Sequence, residues 1–127
     1  MKLHFYKLKH VYPGPADELR PVLDIPAWQL DDAQQVLLKG VSGSGKTTLF
    51  NIAAGLMHPT EGEVRYGDQS LYALSEAARD RFRAQNIGYV FQNHYLLPTL
   101  TAIENVIMPL AFGGEVDAHH ALVRLIR

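Results

Sequence analysis

Leu3 to Val11 alternates loosely between apolar and basic side chains, the period-two pattern of a half-exposed strand. Val22 to Leu30 reads as a second strand, and Pro26 inside it removes a ladder donor, which predicts an edge position. The turn-rich stretch Tyr12-Pro13-Gly14-Pro15-Ala16-Asp17-Glu18 between them is expected to be a surface loop. Asp31-Asp32 then turns into Gln34 to Lys39, a short run with an apolar centre that predicts a strand. From Thr48 to Leu56 the period changes. Leu49, Ile52, Ala53 and Leu56 fall at helical spacing, and Pro59 forbids further helix. Thr60-Glu61-Gly62 turns into a short strand, Glu63 to Tyr66, closed by Gly67-Asp68. Ser75 caps a polar helix running to about Arg83, and Ile87 to Phe91 is a compact, β-rich strand. Thr101 with Glu104 fits a capping box opening a helix toward Leu110, which Gly113-Gly114 breaks. Val116 to Arg127 begins another helix. No internal repeat or low-complexity tract interrupts the pattern.

Between the apolar run ending at Lys39 and the helix lies Gly40-Val41-Ser42-Gly43-Ser44-Gly45-Lys46-Thr47, a complete G-x-x-x-x-G-K-[ST] phosphate-binding loop. Strand, glycine-rich loop and helix form the context this motif demands. Gly43 and Gly45 leave the backbone uncrowded, so consecutive N–H groups can converge as an anion nest. Lys46 has the reach for β- and γ-phosphates, and the Thr47 hydroxyl is a hard oxygen ligand for Mg²⁺. The helix that follows adds its positive end. The expected fold is α/β: a P-loop core with parallel strands, flanked by an antiparallel β-subdomain built largely from the N-terminal segment.

Composition narrows the setting more than the chemistry. The 127 residues suffice for one domain, and 47% hydrophobic with 20% charged residues is ordinary for a globular protein. A net charge of −1 gives no electrostatic case for nucleic acid. Without cysteine there is neither a disulfide framework nor thiolate chemistry, which permits a cytosolic setting. Residues Met1 to Lys7 lack the apolar core of a signal peptide. No stretch approaches the roughly 20 apolar residues of a membrane span. The chain is expected to be soluble yet able to dock on a membrane protein.

Downstream, Phe91 leads into Gln92-Asn93-His94-Tyr95-Leu96-Leu97-Pro98, then Leu100-Thr101-Ala102-Ile103-Glu104-Asn105-Val106. With the phosphate loop, Thr48-Leu49 and Ala54-Gly55-Leu56, these residues closely resemble the ATP-binding cassette (ABC) transporter ATPases, from about Leu3 to Leu110. The wording of Phe91-Gln92 to Leu97-Pro98 and of Glu104-Asn105-Val106 looks most like the lipoprotein-release and macrolide-export branch. The resemblance implies a RecA-like parallel sheet and ATP with Mg²⁺ as cofactors. It gives phosphate contacts to Gly40, Val41, Ser42, Gly43, Ser44, Gly45 and Lys46, and the α-phosphate side to Thr48. Gln92 matches the family's Q-loop glutamine, which senses Mg²⁺ and the attacking water, so Thr47 and Gln92 are the expected metal contacts, with Lys46 and Gln92 as catalytic residues. Tyr12 sits where the family places an aromatic that stacks on adenine. The implied partners are a transmembrane permease subunit and a second cassette, with the chain peripheral on the cytoplasmic face of the membrane. Tyr95, Leu96 and Leu97 are read either as core or as part of the permease groove.

Other residues are read as structural: Trp28 as packing, and the charge run Glu76 to Arg83 as a solvated helix face. His94 does not match the family's switch histidine, and the adjacent His119-His120 diverge on a helix. No Leu-Ser-Gly-Gly-Gln signature, Walker B Asp-Glu or switch histidine follows Phe112. Residues 1–127 are therefore expected to form an ABC-type ATP-binding domain incomplete at its C-terminus, truncated within the helical subdomain. General-base catalysis is worth about 10²–10⁴-fold, so Mg-ATP binding with negligible hydrolysis is expected. An open sheet edge predicts marginal stability or aggregation. A truncated, non-catalytic nucleotide-binding fragment is one alternative. A small P-loop kinase or GTPase is another, although no Asn-Lys-x-Asp guanine-reading motif occurs.

Overall fold

The computed structural model describes residues 1–15, 18–93 and 95–112, so Ala16, Asp17, His94, Gly113-Gly114, His119-His120 and the expected helix from Val116 lie outside the described residues. The chain forms two compact units, Met1–Arg79 and Asp80–Arg127. The first holds an antiparallel sheet of β1 (Leu3–Pro13), β2 (Leu19–Leu30), β3 (Glu61–Tyr66) and β4 (Gln69–Ser70), ordered β2-β1-β3-β4. Pro26 therefore does lie on an edge strand, where its missing N–H costs no ladder bond. The short β4 was not legible in the sequence.

β1 explains why its alternation is only loose. Phe5 and Leu8 are both buried although three residues apart, which a regular strand forbids. Lys7 adopts φ 45, and the pairing with β3 shifts register between Tyr6 and Lys9. This bulge resets the parity, so Leu8 and His10 face inward after it. Gly62, at φ 91, packs so tightly on the Lys7 carbonyl that a Cβ there would collide. Trp28, paired with Phe5 in the β1–β2 register, stacks on it at 5.2 Å, in keeping with its reading as packing.

Helix α1 (Lys46–Ala53) follows the glycine-rich loop and ends short of Leu56, because Gly55 leaves the helical region at φ 74. Ile52 on α1 joins Phe5, Leu8, Leu23, Val64 and Leu71 in the core. Burying each such side chain is worth about 1.5–3 kcal/mol. Two tyrosines hold the C-terminal end of α1. Tyr66 donates to the Ala53 carbonyl at 2.9 Å, and Tyr72 donates its hydroxyl between the carbonyls of Ile52 and Met57. Carbonyls at a helix end have no partner within the helix, so these hydroxyls anchor the element that follows the loop.

Helix α2 (Glu76–Asn86) starts at Ser75, whose hydroxyl accepts from the Ala78 N–H, as the capping pattern implied. The reading of Glu76 to Arg83 as a wholly solvated face needs one correction. Arg79 is 9% exposed, with its guanidinium over the Tyr72 ring at 5.6 Å. A long aliphatic stem with a planar cation packs there as an apolar residue would.

In the second unit, helix α3 (Ala102–Phe112) opens on the expected capping box. The Thr101 N–H donates to Glu104 Oε2 at 2.7 Å, and the Glu104 N–H donates back to Thr101 Oγ1 at 3.3 Å. The strands expected at Gln34 to Lys39 and Ile87 to Phe91 are a further correction, since among the described residues neither forms a ladder. A strand exists only against a neighbour, and among the described residues no strand pairs with either segment. Leu37 is accordingly 77% exposed and Val90 97% exposed.

Candidate functional site

The loop from Gly40 to Gly45 leads into α1 without a side-chain cap, and no acidic residue occupies the first helical turn. The first N–H groups of a helix have no intrahelical acceptor, so an uncapped start leaves donors aimed outward beside the positive end of the helix dipole. Gly45 makes this entry possible. It sits at φ 90, and a Cβ there would lie 2.8 Å from Val22 Cγ1 and 2.9 Å from the Val22 carbonyl oxygen. Only a residue without a side chain lets the loop pass against β2 this closely.

Lys46 folds back over its own loop. Its Nζ donates to the carbonyls of Gly40 at 2.7 Å and Val41 at 2.8 Å, and to Ser44 Oγ at 3.4 Å. The ammonium is thus already centred on the loop, held by neutral acceptors that an anion can outcompete. Thr47 is exposed, whereas Thr48 is buried and its Oγ1 lies 3.2 Å from the Tyr12 hydroxyl.

Tyr12 is the residue the fold brings in from afar. It stands near the end of β1, 36 positions before Thr48, and its hydroxyl also lies 3.4 Å from Met57 Sδ. The His10 ring packs edge-on against it, centroids 4.7 Å apart at 82°. A recess of about 300 Å³ is lined by Tyr12, Val22, Gly43, Gly45, Thr47 and Thr48. One aromatic face, glycine backbone and two hydroxyls therefore share a single concavity. Val22 is the lining residue that sequence reasoning missed, since nothing local marks it as more than a strand residue. A larger recess of about 390 Å³ lies elsewhere in this unit, between residues such as Phe5, Ile25, Trp28, Val36, Leu49 and Phe50. Its wall is apolar and offers nothing to a phosphate or a metal.

The loop suits a polyphosphate: uncapped N–H donors, a centred cation and an open face. A magnesium ion bound with phosphates needs only one or two protein oxygens, and the exposed Thr47 hydroxyl can supply one. Among the described residues no cluster of three or more His, Asp or Glu side chains is gathered to hold a metal without phosphate help.

The remaining candidate, Gln92, lies in the second unit, exposed in the bend after Phe91. Asn105 organises the segment that follows. Its Oδ1 accepts from the Leu97 N–H at 2.8 Å, and its Nδ2 donates to the carbonyls of Leu97, Leu100 and Thr101 at 3.0–3.2 Å. Leu97 is thereby tied to α3 while Tyr95, Leu96, Ile103 and Val106 stay exposed.

Comparison with known proteins bears on the family and the fold. The sequence profile of the ABC transporter family matches residues 23–126. The lipoprotein-releasing system ATP-binding protein LolD of Chromohalobacter salexigens is 46% identical over 102 residues, 80% of this chain and 42% of that protein. LolD of Geobacter metallireducens is 47% identical over 83 residues, 65% of this chain and 37% of that protein. The chain thus spans about two fifths of the length of these curated relatives. Among solved structures, the dimeric bacterial ABC transporter cassette MJ0796 superposes with a TM-score of 0.86 at 32% identity, covering 98% of this chain and 54% of that one. The same cassette in a post-hydrolysis state bound to ADP and Pi gives 0.85. The expected α/β P-loop class with its N-terminal antiparallel sheet is therefore borne out.

Proposed function

The chain belongs to the ABC transporter family, and from that premise we propose that it binds Mg-ATP at the recess between Tyr12 and the glycine-rich loop. The observation that carries this reading is the shared concavity of Tyr12, Gly43, Gly45, Thr47 and Thr48 at an uncapped helix start. In this reading the backbone of Gly40, Val41, Ser42, Gly43, Ser44 and Gly45 surrounds the phosphates. Lys46 exchanges the Gly40 and Val41 carbonyls for β- and γ-phosphate oxygens, gaining charge-assisted bonds in place of neutral ones. Thr47 ligates Mg²⁺, Thr48 meets the α-phosphate side, and the Tyr12 ring offers adenine a stacking face. By the family resemblance Gln92 would offer an amide to the metal and the attacking water, a role that adds no charge. The metal, when bound, screens the phosphate charge.

The wider role follows from the relatives. We propose that the chain is part of a transport ATPase that works with a membrane permease and a second cassette; its relatives are named ATP-binding proteins of a lipoprotein-releasing system, and the superposed cassette is dimeric. No helix among the described residues is long and apolar enough to cross a membrane. Peripheral attachment to the cytoplasmic face through a permease is the corresponding arrangement, and the exposed Tyr95 and Leu96 offer an apolar contact for it. Residues 1–127 carry no Walker B carboxylates, and we propose that these residues by themselves bind nucleotide with negligible hydrolysis. Parallel Mg-ATP and Mg-GTP titrations with a phosphate-release assay test this reading. ATP binding with no release above the Lys46→Ala background is expected. Release abolished by Lys46→Ala would overturn the hydrolysis statement, and equal preference for GTP without any effect of Tyr12→Ala would overturn the site.

A further inference from the structure

We infer that the Tyr12 hydroxyl is a positioning group for phosphate, acting through Thr48, beyond any service of the Tyr12 ring to a base. This rests on the proposed phosphate site and adds a residue to its working parts. The Tyr12 and Thr48 hydroxyls lie 3.2 Å apart, and each carries one proton and two acceptor lone pairs. Phosphate oxygens only accept. When Thr48 donates to a phosphate, its single proton is committed, and the bond to Tyr12 survives only if Tyr12 is the donor. The bound state therefore has one allowed order, Tyr12 O–H to Thr48 O–H to phosphate.

The free protein has a second order available. Met57 Sδ lies 3.4 Å from the Tyr12 hydroxyl, so Tyr12 can donate to the weak sulfur acceptor while accepting from Thr48. Phosphate binding leaves only the first of these two orders. Thr48 is buried, which limits the partners its hydroxyl can take besides Tyr12. The His10 ring, itself buried with both ring nitrogens unpartnered, braces the Tyr12 ring edge-on and fixes the hydroxyl's position. With Tyr12 donating to Thr48 Oγ1, the Thr48 proton is free to point at the phosphate, and a chain of hydroxyls polarises each member.

The test uses a ligand with no base. Mg-tripolyphosphate and Mg-ATP are titrated calorimetrically into the full chain and its Tyr12→Phe, Thr48→Val, Thr48→Ser and Tyr12→Phe/Thr48→Val variants, each checked for an intact thermal transition. Tyr12→Phe is expected to weaken tripolyphosphate roughly two- to fivefold, the size of losing one rotor preference and part of a cooperative bond. The loss is absent in the Thr48→Val background and returns with Thr48→Ser, which restores the hydroxyl. Unchanged or tighter tripolyphosphate binding by Tyr12→Phe, or additive effects in the double variant, overturns the inference and leaves the phosphate site standing. Failure of the parent chain to bind either ligand overturns the site and the inference together.

Discussion

Replacing Gly45 by alanine separates two costs that the structure places on one residue. The left-handed backbone at φ 90 penalises any side chain by about 1–2 kcal/mol. The added Cβ also meets Val22 Cγ1 at 2.8 Å, the Val22 carbonyl at 2.9 Å and Leu23 Cδ2 at 3.1 Å. Two of these contacts belong to β2 backbone and a branched stem, neither of which yields easily, so overpacking adds about 1–3 kcal/mol. Gly43 supplies the control, because it shares the positive φ, at 78, but has nothing within 4 Å of an added Cβ. Gly43→Ala should therefore cost only the backbone penalty, while Gly45→Ala should cost a further 1–3 kcal/mol or about that. Against a total stability of roughly 5–15 kcal/mol the second change is severe. Urea unfolding at a fixed pH reads the difference as a shift in midpoint with an unchanged slope. If Gly45→Ala is no less stable than Gly43→Ala, the close packing of the loop on Val22 is wrong, and with it the account of how the loop is held.

Three further outcomes are expected. Burial pushes the Tyr66 hydroxyl up to about 12 from 10.0, so the folded state holds its proton more tightly than the unfolded chain. That stability is fully present below about pH 10 and is lost as pH rises through about 12; Tyr66→Phe should lower stability by about 1 kcal/mol and flatten this alkaline slope in a pH series of melts. The Thr101 N–H and hydroxyl hold the Glu104 carboxyl below the ordinary carboxylate range, so the cap on α3 is present above that range and fails as pH falls through the lowered value. The Thr101 amide resonance should follow this titration and lose it in Glu104→Ala; an amide indifferent to acid in the parent chain would remove the capping box from the account. His10→Leu should raise stability by about 1 kcal/mol, since two buried ring nitrogens without partners disappear, and a lower melting temperature would show that they are satisfied in solution.

The features legible in the sequence were those written in a few consecutive residues. The phosphate loop, the Ser75 cap and the Thr101–Glu104 box each pair a residue with one a turn away, so spacing alone exposes them. Pro26 announced an edge because its missing N–H is intrinsic to the residue. What stayed hidden depends on partners far along the chain. The bulge at Lys7 packs on Gly62, the α1 end is held by Tyr66 and Tyr72, and Arg79 lies over the Tyr72 ring. None of these pairings leaves a periodic trace. The converse error has the same origin. Gln34 to Lys39 and Ile87 to Phe91 have strand composition, yet a strand also needs a neighbour, and composition says nothing of where one lies. Tyr12 and Thr48 illustrate both sides, since resemblance singled out each residue but only the fold showed their hydroxyls in contact.

The measurement closest to the central claim is calorimetric titration of Mg-ATP into the chain and into its Lys46→Ala variant. Saturable binding at one site per chain is expected, weakened at least tenfold or about that by Lys46→Ala, because one charge-assisted bond to phosphate is worth about 1.5–3 kcal/mol. Equal affinity in the two proteins, or no saturable heat in a chain that melts cooperatively, would contradict the assignment of this loop as an ATP site.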